Sequence, residues 1–227
     1  MTKHSTFLYT SELNNAILLS FKSLENSNFS VRNCVSKLIG NLLFYALSTD
    51  ELIKNSTQQS NQLSNSIQNN DVIMEKKIES AFQLLSNGFI KNKTRFLKVN
   101  KKDESRNTLQ TNREEVRIGV TYAYIEFIKL LGSSLLDKYI TMYISSVLEL
   151  VKNFKASNNN DFEIITLRKC VNYILRSTIG LMLNENSQIT AAKEMIFLIK
   201  KYIQNGMYLV FLFISTFERG IVSTVRL

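Results

Sequence analysis

Apolar residues recur along most of this chain at intervals of three and four, the period of amphipathic helices. Leu13, Ile17, Phe21 and Leu24 share one side of a first helix that Ser11 can cap. The turn Asn26-Ser27-Asn28 follows, and Ser30 opens a partner helix that runs to about Leu47. Asp71 begins a further helix, with Met74, Ile78, Ala81 or Phe82, and Leu85 as its stripe, and Gly88 placed to stop it. Asn112 and Glu115 have the spacing that satisfies free amides at a helix start. Val116, Val120, Ala123 and Phe127 then form one stripe, and Gly132 supplies the residue that turns left-handed after a last turn. Ser134 and Asp137 repeat a capping spacing ahead of a long helix with Leu136, Ile140, Tyr143, Val147 and Val151 on its inner face. The polar connector KASNNND leads to Asp161 and the helix around Leu167, which ends near Asn184. Ser187 opens a last helix whose stripe is Ile189, Ala192, Ile196, Ile199 and Ile203.

Three of these segments align on a hydrophobic-Arg pair: VRNCVSKLIGNL from Val31, VRIGVTYAYIEF from Val116 and LRKCVNYILRST from Leu167. Arg32, Arg117 and Arg168 coincide, followed by a small residue (Cys34, Gly119, Cys170), a valine (Val35, Val120, Val171) and an apolar position (Leu38, Ala123, Ile174). A small residue before valine suits a helix whose backbone closely approaches its neighbour. The pattern is that of the second helix of a HEAT-type repeat, whose period is roughly 40–47 residues. The intervals of 85 and 51 residues fit about two periods and one enlarged period. The expected fold is therefore all-α, a HEAT/armadillo-type α-solenoid of antiparallel helix pairs, with Val35, Val120 and Val171 buried at equivalent places.

The repeats are expected over residues 11–206, behind a disordered tail at 1–10. Within them, residues 55–70 are uncharged and polar, which predicts a disordered insert. Residues 89–112 form a loop unusually long for a hairpin, with Lys91, Lys93, Arg95, Lys98, Lys101, Lys102 and Arg106 against only Asp103 and Glu104. Phe89, Phe96 and Leu97 interleave with those cations. Residues 207–227 differ in character, being an apolar segment whose continuous run, Met207 to Ile214, has eight residues. That is short of the ~20 a membrane-spanning helix needs, so no transmembrane span is expected and a buried terminal helix is the reading.

The 227 residues and 44% hydrophobic content are enough for a core, and a net charge of +9 makes anionic partners candidates. The opening MTKHSTFLYT lacks the apolar core of a cleavable signal, so the expected location is the cytosol. Without secretion, the glycosylation-type triplets at Asn28, Asn55 and Asn92 carry no meaning.

Catalytic chemistry finds little support. The sole histidine, His4, lies in the expected tail, which removes His-rich metal sites and most triad mechanisms. No CxxC, P-loop, GxGxxG or nucleophile elbow occurs. Cys34 and Cys170 occupy equivalent repeat positions and are read as small buried hydrophobes. Glu114 and Glu115 are read as helix-start carboxylates, the three repeat arginines as ties to adjacent repeats or loop carbonyls, and Tyr122, Tyr124, Tyr139 and Tyr143 as packing residues. No cofactor, metal or catalytic residue is expected, and the chain is read as a non-enzyme.

Three stretches resemble the HEAT repeat-containing protein 5 family, the large clathrin-adaptor accessory proteins: TSELNNAILLSFKSLENSNFSVRNCVSKLIGNLL from Thr10, EEVRIGVTYAYIEFIKLLG from Glu114, and LRKCVNYILRSTIGLMLNENSQITAAKEM from Leu167. The resemblance covers about Thr10 to Gln204; SLENSN and AAKE look specific to the family, while the Asn-Gln tract looks like a lineage insert. It implies a much longer solenoid, of which this chain matches a portion near the N-terminal side. It further implies a scaffold in vesicle-mediated transport, acting in endocytosis, endosome-to-Golgi retrieval and protein localisation. The implied partners are the trans-Golgi clathrin adaptor and its aftiphilin- and gamma-synergin-type cofactors, with peripheral association at trans-Golgi and endosomal membranes. The resemblance supplies no catalytic or binding residues.

One alternative from a different class stands beside it. The loop Lys91 to Arg106 could serve an anionic-ligand module that takes phosphoinositide headgroups or nucleic acid, nucleic acid being the less expected of the two.

Overall fold

The computed structural model describes residues 12–25, 27–57, 65–90, 106–152 and 161–204. Among them are eight α-helices and no strand. They are α1 (Leu13–Ser23), α2 (Phe29–Thr57), α3 (Asn65–Ile90), α4 (Arg106–Leu131), α5 (Ser133–Lys138), α6 (Ile140–Lys152), α7 (Asp161–Leu175) and α8 (Glu185–Gln204), with a π-helical turn at Arg176–Gly180. The expected tail at 1–10 and the segment 207–227 lie outside the described residues. The chain divides into two compact units, Met1–Gly132 and Ser133–Leu227.

In the first unit α1 and α2 form the expected hairpin. Ile17, Phe21 and Leu24 are buried as their spacing predicts. Asn28 rather than Ser30 caps α2, its Oδ1 accepting from the Val31 amide at 2.9 Å. The most extensive contact is between α2 and α4, with α1 packed on α2, α3 and α4. The α2 backbone comes close to α4 at Gly40, where an added Cβ would stand 3.0 Å from the Phe127 amide nitrogen and from Glu126 Cβ. Ile78, Phe82 and Leu85 of α3 and Val116, Val120, Ala123 and Phe127 of α4 complete the core. The Phe82 ring stacks on Tyr124 at 6.2 Å and meets Phe127 edge-on at 5.9 Å, an aromatic arrangement worth about 0.5–1.5 kcal/mol per pair beyond area burial.

Several boundaries differ from the sequence reading. Gly88 does not stop α3, which continues to Ile90; a Cβ at Gly88 would fall on the Phe21 ring, so glycine there makes room for α1. Phe89, expected in the loop, is buried in the helix. Helix α2 runs on to Thr57 and α3 begins at Asn65, so the ends of the expected insert at 55–70 are helical and only 58–64 lies outside the described residues. Polar residues on a helix already anchored by a packed half need bury nothing to extend it. Helix α4 likewise starts at Arg106, which places Asn112, Glu114 and Glu115 inside it rather than at a cap. Its other end agrees with expectation: Gly132 adopts φ +82° and its amide bonds Ile128 O at 3.1 Å.

In the second unit the expected long helix is divided into α5 and α6 at Tyr139. The i to i−4 bonding persists across the division, through Tyr139 N to Leu135 O and Tyr143 N to Tyr139 O, both 3.0 Å. Leu136, Tyr143, Val147 and Val151 are buried as predicted, while Ile140 is half-buried. Helix α6 packs on α7 and α8. Asn184, not Ser187, caps α8, its Oδ1 accepting from the Ser187 amide at 2.9 Å. The buried face of α8 is Ala191, Met195, Ile199 and Tyr202, whereas Ile189 and Ile196 of the expected stripe are exposed. Apolar residues stand on both sides of this helix, so spacing alone does not select its inner face.

Candidate interaction surface

Six of the seven cations proposed for anion contact, Lys91, Lys93, Arg95, Lys98, Lys101 and Lys102, lie outside the described residues. Arg106 is the first residue of α4, and only its backbone is described.

The repeat arginines show what the aligned positions do. Arg32 donates from Nη2 to Ser27 O at 2.7 Å and from Nε to Ser27 Oγ at 3.4 Å. It also stands 3.8 Å from the Glu115 carboxylate. Arg117, buried, directs Nε at Phe89 O over a long 3.5 Å. In the first unit, then, Arg32 near the start of α2 and Arg117 midway along α4 each reach a carbonyl at or just beyond the end of the preceding helix. Those carbonyls have no intrahelical donor, and a guanidinium satisfies them with a charge-assisted bond. Arg168 is half-buried, and its Nε has no hydrogen-bond partner among the described residues.

The alignment holds for packing in two segments and fails in the third. Val120 and Val171 are fully buried, and Gly119, Ala123, Cys170 and Ile174 are buried with them. On α2 the corresponding residues face outward: Cys34 is exposed, Val35 half-buried and Leu38 50% exposed. The buried stripe of α2 is instead Ser36, Ile39, Gly40, Leu43 and Leu47, one residue further along. Two close approaches to α4 hold that register: Gly40 against the Phe127 backbone, and Ser36, whose hydroxyl lies 2.8 Å from Gly119 O.

That rotation leaves an apolar outer face. Val31, Leu38 and Tyr45 are 43%, 50% and 49% exposed and recur every seven residues, with exposed Cys34 beside them. Fourteen residues of helix span about 21 Å. Between Val31 and Tyr45 the only charges are Arg32, engaged with Ser27 and Glu115, and Lys37. Apolar residues at seven-residue intervals make one of the two rows of a helix-packing seam; the row three positions on holds Cys34 and Asn41. The seven-residue spacing is visible in the sequence; its exposure is not, because the alignment assigns the same residues to the core.

No group of three or more His, Cys, Asp or Glu that could hold a metal ion occurs among the described residues. Tyr124 and Tyr143 are buried and Tyr122 and Tyr139 half-buried, as packing residues should be. No helix among the described residues is long and apolar enough to cross a membrane. No protein-family model matches the chain, and no solved structure matches it.

Proposed function

We propose that this chain is a non-enzymatic helical-repeat scaffold that binds an apolar helical segment of a partner protein on the outer face of α2. The observation that carries the reading is the uncharged row Val31, Leu38 and Tyr45, apolar where a solvated helix would be polar. Two helix pairs, in each of which an arginine of the later helix reaches a carbonyl at or just beyond the end of the earlier one, support a HEAT/armadillo-type repeat, a unit that buries its remaining apolar surface against a neighbour. The partners that the family resemblance implies are the aftiphilin- and gamma-synergin-type cofactors of the trans-Golgi clathrin adaptor. The scaffold would then act from the cytosol at trans-Golgi and endosomal membranes.

The test is a pull-down from nuclease-treated cytosol at low and moderate salt, with proteins and lipids identified. Two variants of the full chain are compared with the parent: Leu38→Glu, and the triple reversal of Lys98, Lys101 and Lys102 to Glu. Adaptor cofactors retained at moderate salt, lost in Leu38→Glu and kept in the triple reversal are the expected result. Acidic lipid or nucleic acid, released by salt and lost only in the triple reversal, would replace this reading with anion binding by the loop Lys91 to Arg106. Cofactor capture that Leu38→Glu leaves intact would remove α2 from the interaction.

A further inference from the structure

Residues 164–184 contain Arg168, Lys169 and Arg176 and no acidic residue. On α7 and the π-helical turn that continues it, Ile165, Lys169 and Tyr173 form one row at four-residue spacing, and Arg168, Asn172 and Arg176 form the next. The rows adjoin on the side away from the core, since Leu167, Cys170, Val171 and Ile174 are buried on the other. Lys169 and Arg176 are exposed, Ile165 and Tyr173 are 45% and 49% exposed, and Arg168 and Asn172 are half-buried. The acidic side chains described in this unit are Asp137, Glu149, Glu185 and Glu194, and none makes an ion pair with the three cations.

We propose that this face of α7 docks an acidic segment of a partner protein, with carboxylates against Arg168, Lys169 and Arg176 and apolar side chains against Ile165 and Tyr173. Charge selects the sign of the occupant. The eight steps from Arg168 to Arg176 span about 12 Å, so three like charges share a short surface with no counter-charge among the described residues. Two of the three are guanidiniums, whose planar fork matches a carboxylate with two parallel bonds. Phosphate offers the same fit, but the rest of the face favours a peptide. A membrane-surface helix needs a broad apolar face, whereas Ile165 and Tyr173 are a narrow pair set among the cations. A single-stranded nucleic acid needs several aromatic platforms, and this face has one. The surface belongs to the second unit and α2 to the first, so this inference does not rest on the reading given above.

Fluorescence anisotropy of a labelled peptide of glutamate, leucine and glycine, titrated with the full chain at low and moderate salt, tests this. Binding that weakens as salt rises is expected. Lys169→Glu with Arg176→Glu, both at exposed positions, should weaken it roughly tenfold or more at low salt, because each reversal replaces attraction by repulsion. Lys169→Gln with Arg176→Gln should move affinity in the same direction by less, and Lys169→Arg should bind as the parent does. The triple reversal of Lys98, Lys101 and Lys102 to Glu removes more charge yet should weaken binding far less. Phosphatidylserine vesicles and a single-stranded oligonucleotide serve as competing probes. The proposal is overturned if the parent chain does not bind the peptide, or if neither paired variant weakens binding. It is equally overturned if the triple reversal causes the larger loss, or if either phosphate probe binds more tightly than the peptide through Lys169 and Arg176.

Discussion

The hydroxyl of Ser36 on α2 lies 2.8 Å from the carbonyl oxygen of Gly119 on α4, across a contact where both residues are buried. The same hydroxyl is 2.6 Å from Arg32 O in its own helix, so one proton is shared between two carbonyls. Such a contact forms only where two helix backbones come unusually close. Ser36→Ala should lower stability by about 0.5–1.5 kcal/mol, the net worth of a typical hydrogen bond, read as a lower urea midpoint at unchanged m-value. An unchanged midpoint would mean that the register of α2 on α4 rests on Gly40 alone.

Gly40 and Gly180 should respond in opposite directions to enlargement. Gly40→Leu forces side-chain atoms against the Phe127 backbone, where overpacking costs about 1–3 kcal/mol. Gly180 has no heavy atom within 4 Å of an added Cβ, so Gly180→Ala should stabilise by about 0.4–1 kcal/mol through the unfolded chain. Thermal unfolding of the two variants beside the parent reads both signs.

In the second unit Tyr143 OH is 2.7 Å from Thr178 Oγ1, which itself donates to Ile174 O at 2.8 Å. Because the threonine proton is committed to that carbonyl, the tyrosine is the donor between them. The π-helical turn at Arg176–Gly180 holds Thr178 where it meets α6. Tyr143→Phe should cost about 1–2 kcal/mol by leaving a buried acceptor unmet. A double-mutant cycle with Thr178→Val should show a coupling above about 0.5 kcal/mol; a coupling of zero would mean that the two hydroxyls do not depend on each other.

The Arg32–Glu115 contact is long, and its side chains retain 15% and 23% of their accessibility. Glu115→Gln is therefore expected to cost under about 1 kcal/mol and to lose most of its effect in high salt. Arg32→Met should cost more, since it also removes the bonds to Ser27 O and Oγ. Equal costs for the two substitutions, measured by urea unfolding at low and high salt, would assign the role of Arg32 to the ion pair alone.

Helix identity and most inner faces were legible in the sequence because each depends on local spacing. Ile17, Phe21 and Leu24, then Ile78, Phe82 and Leu85, then Val116, Val120, Ala123 and Phe127, are buried as their periodicity requires. The left-handed Gly132 was equally legible, as few other residues take that backbone cheaply. What local spacing cannot decide is which side turns inward when two sides are apolar. On α2 the core lies one residue beyond the aligned stripe, since Ser36 and Gly40 permit close approach to α4 while Leu38 would hold the helices apart. On α8 Ala191 and Tyr202 face inward although Ile189 and Ile196 are the more conspicuous hydrophobes. Glu115 reads as a capping residue by its spacing, yet it meets Arg32 inside a helix that starts at Arg106. The sequence by itself thus determined an all-helical chain and the side chains able to fill its core. Only the tertiary structure decided which apolar face stays outside, because that choice depends on how closely two backbones can approach.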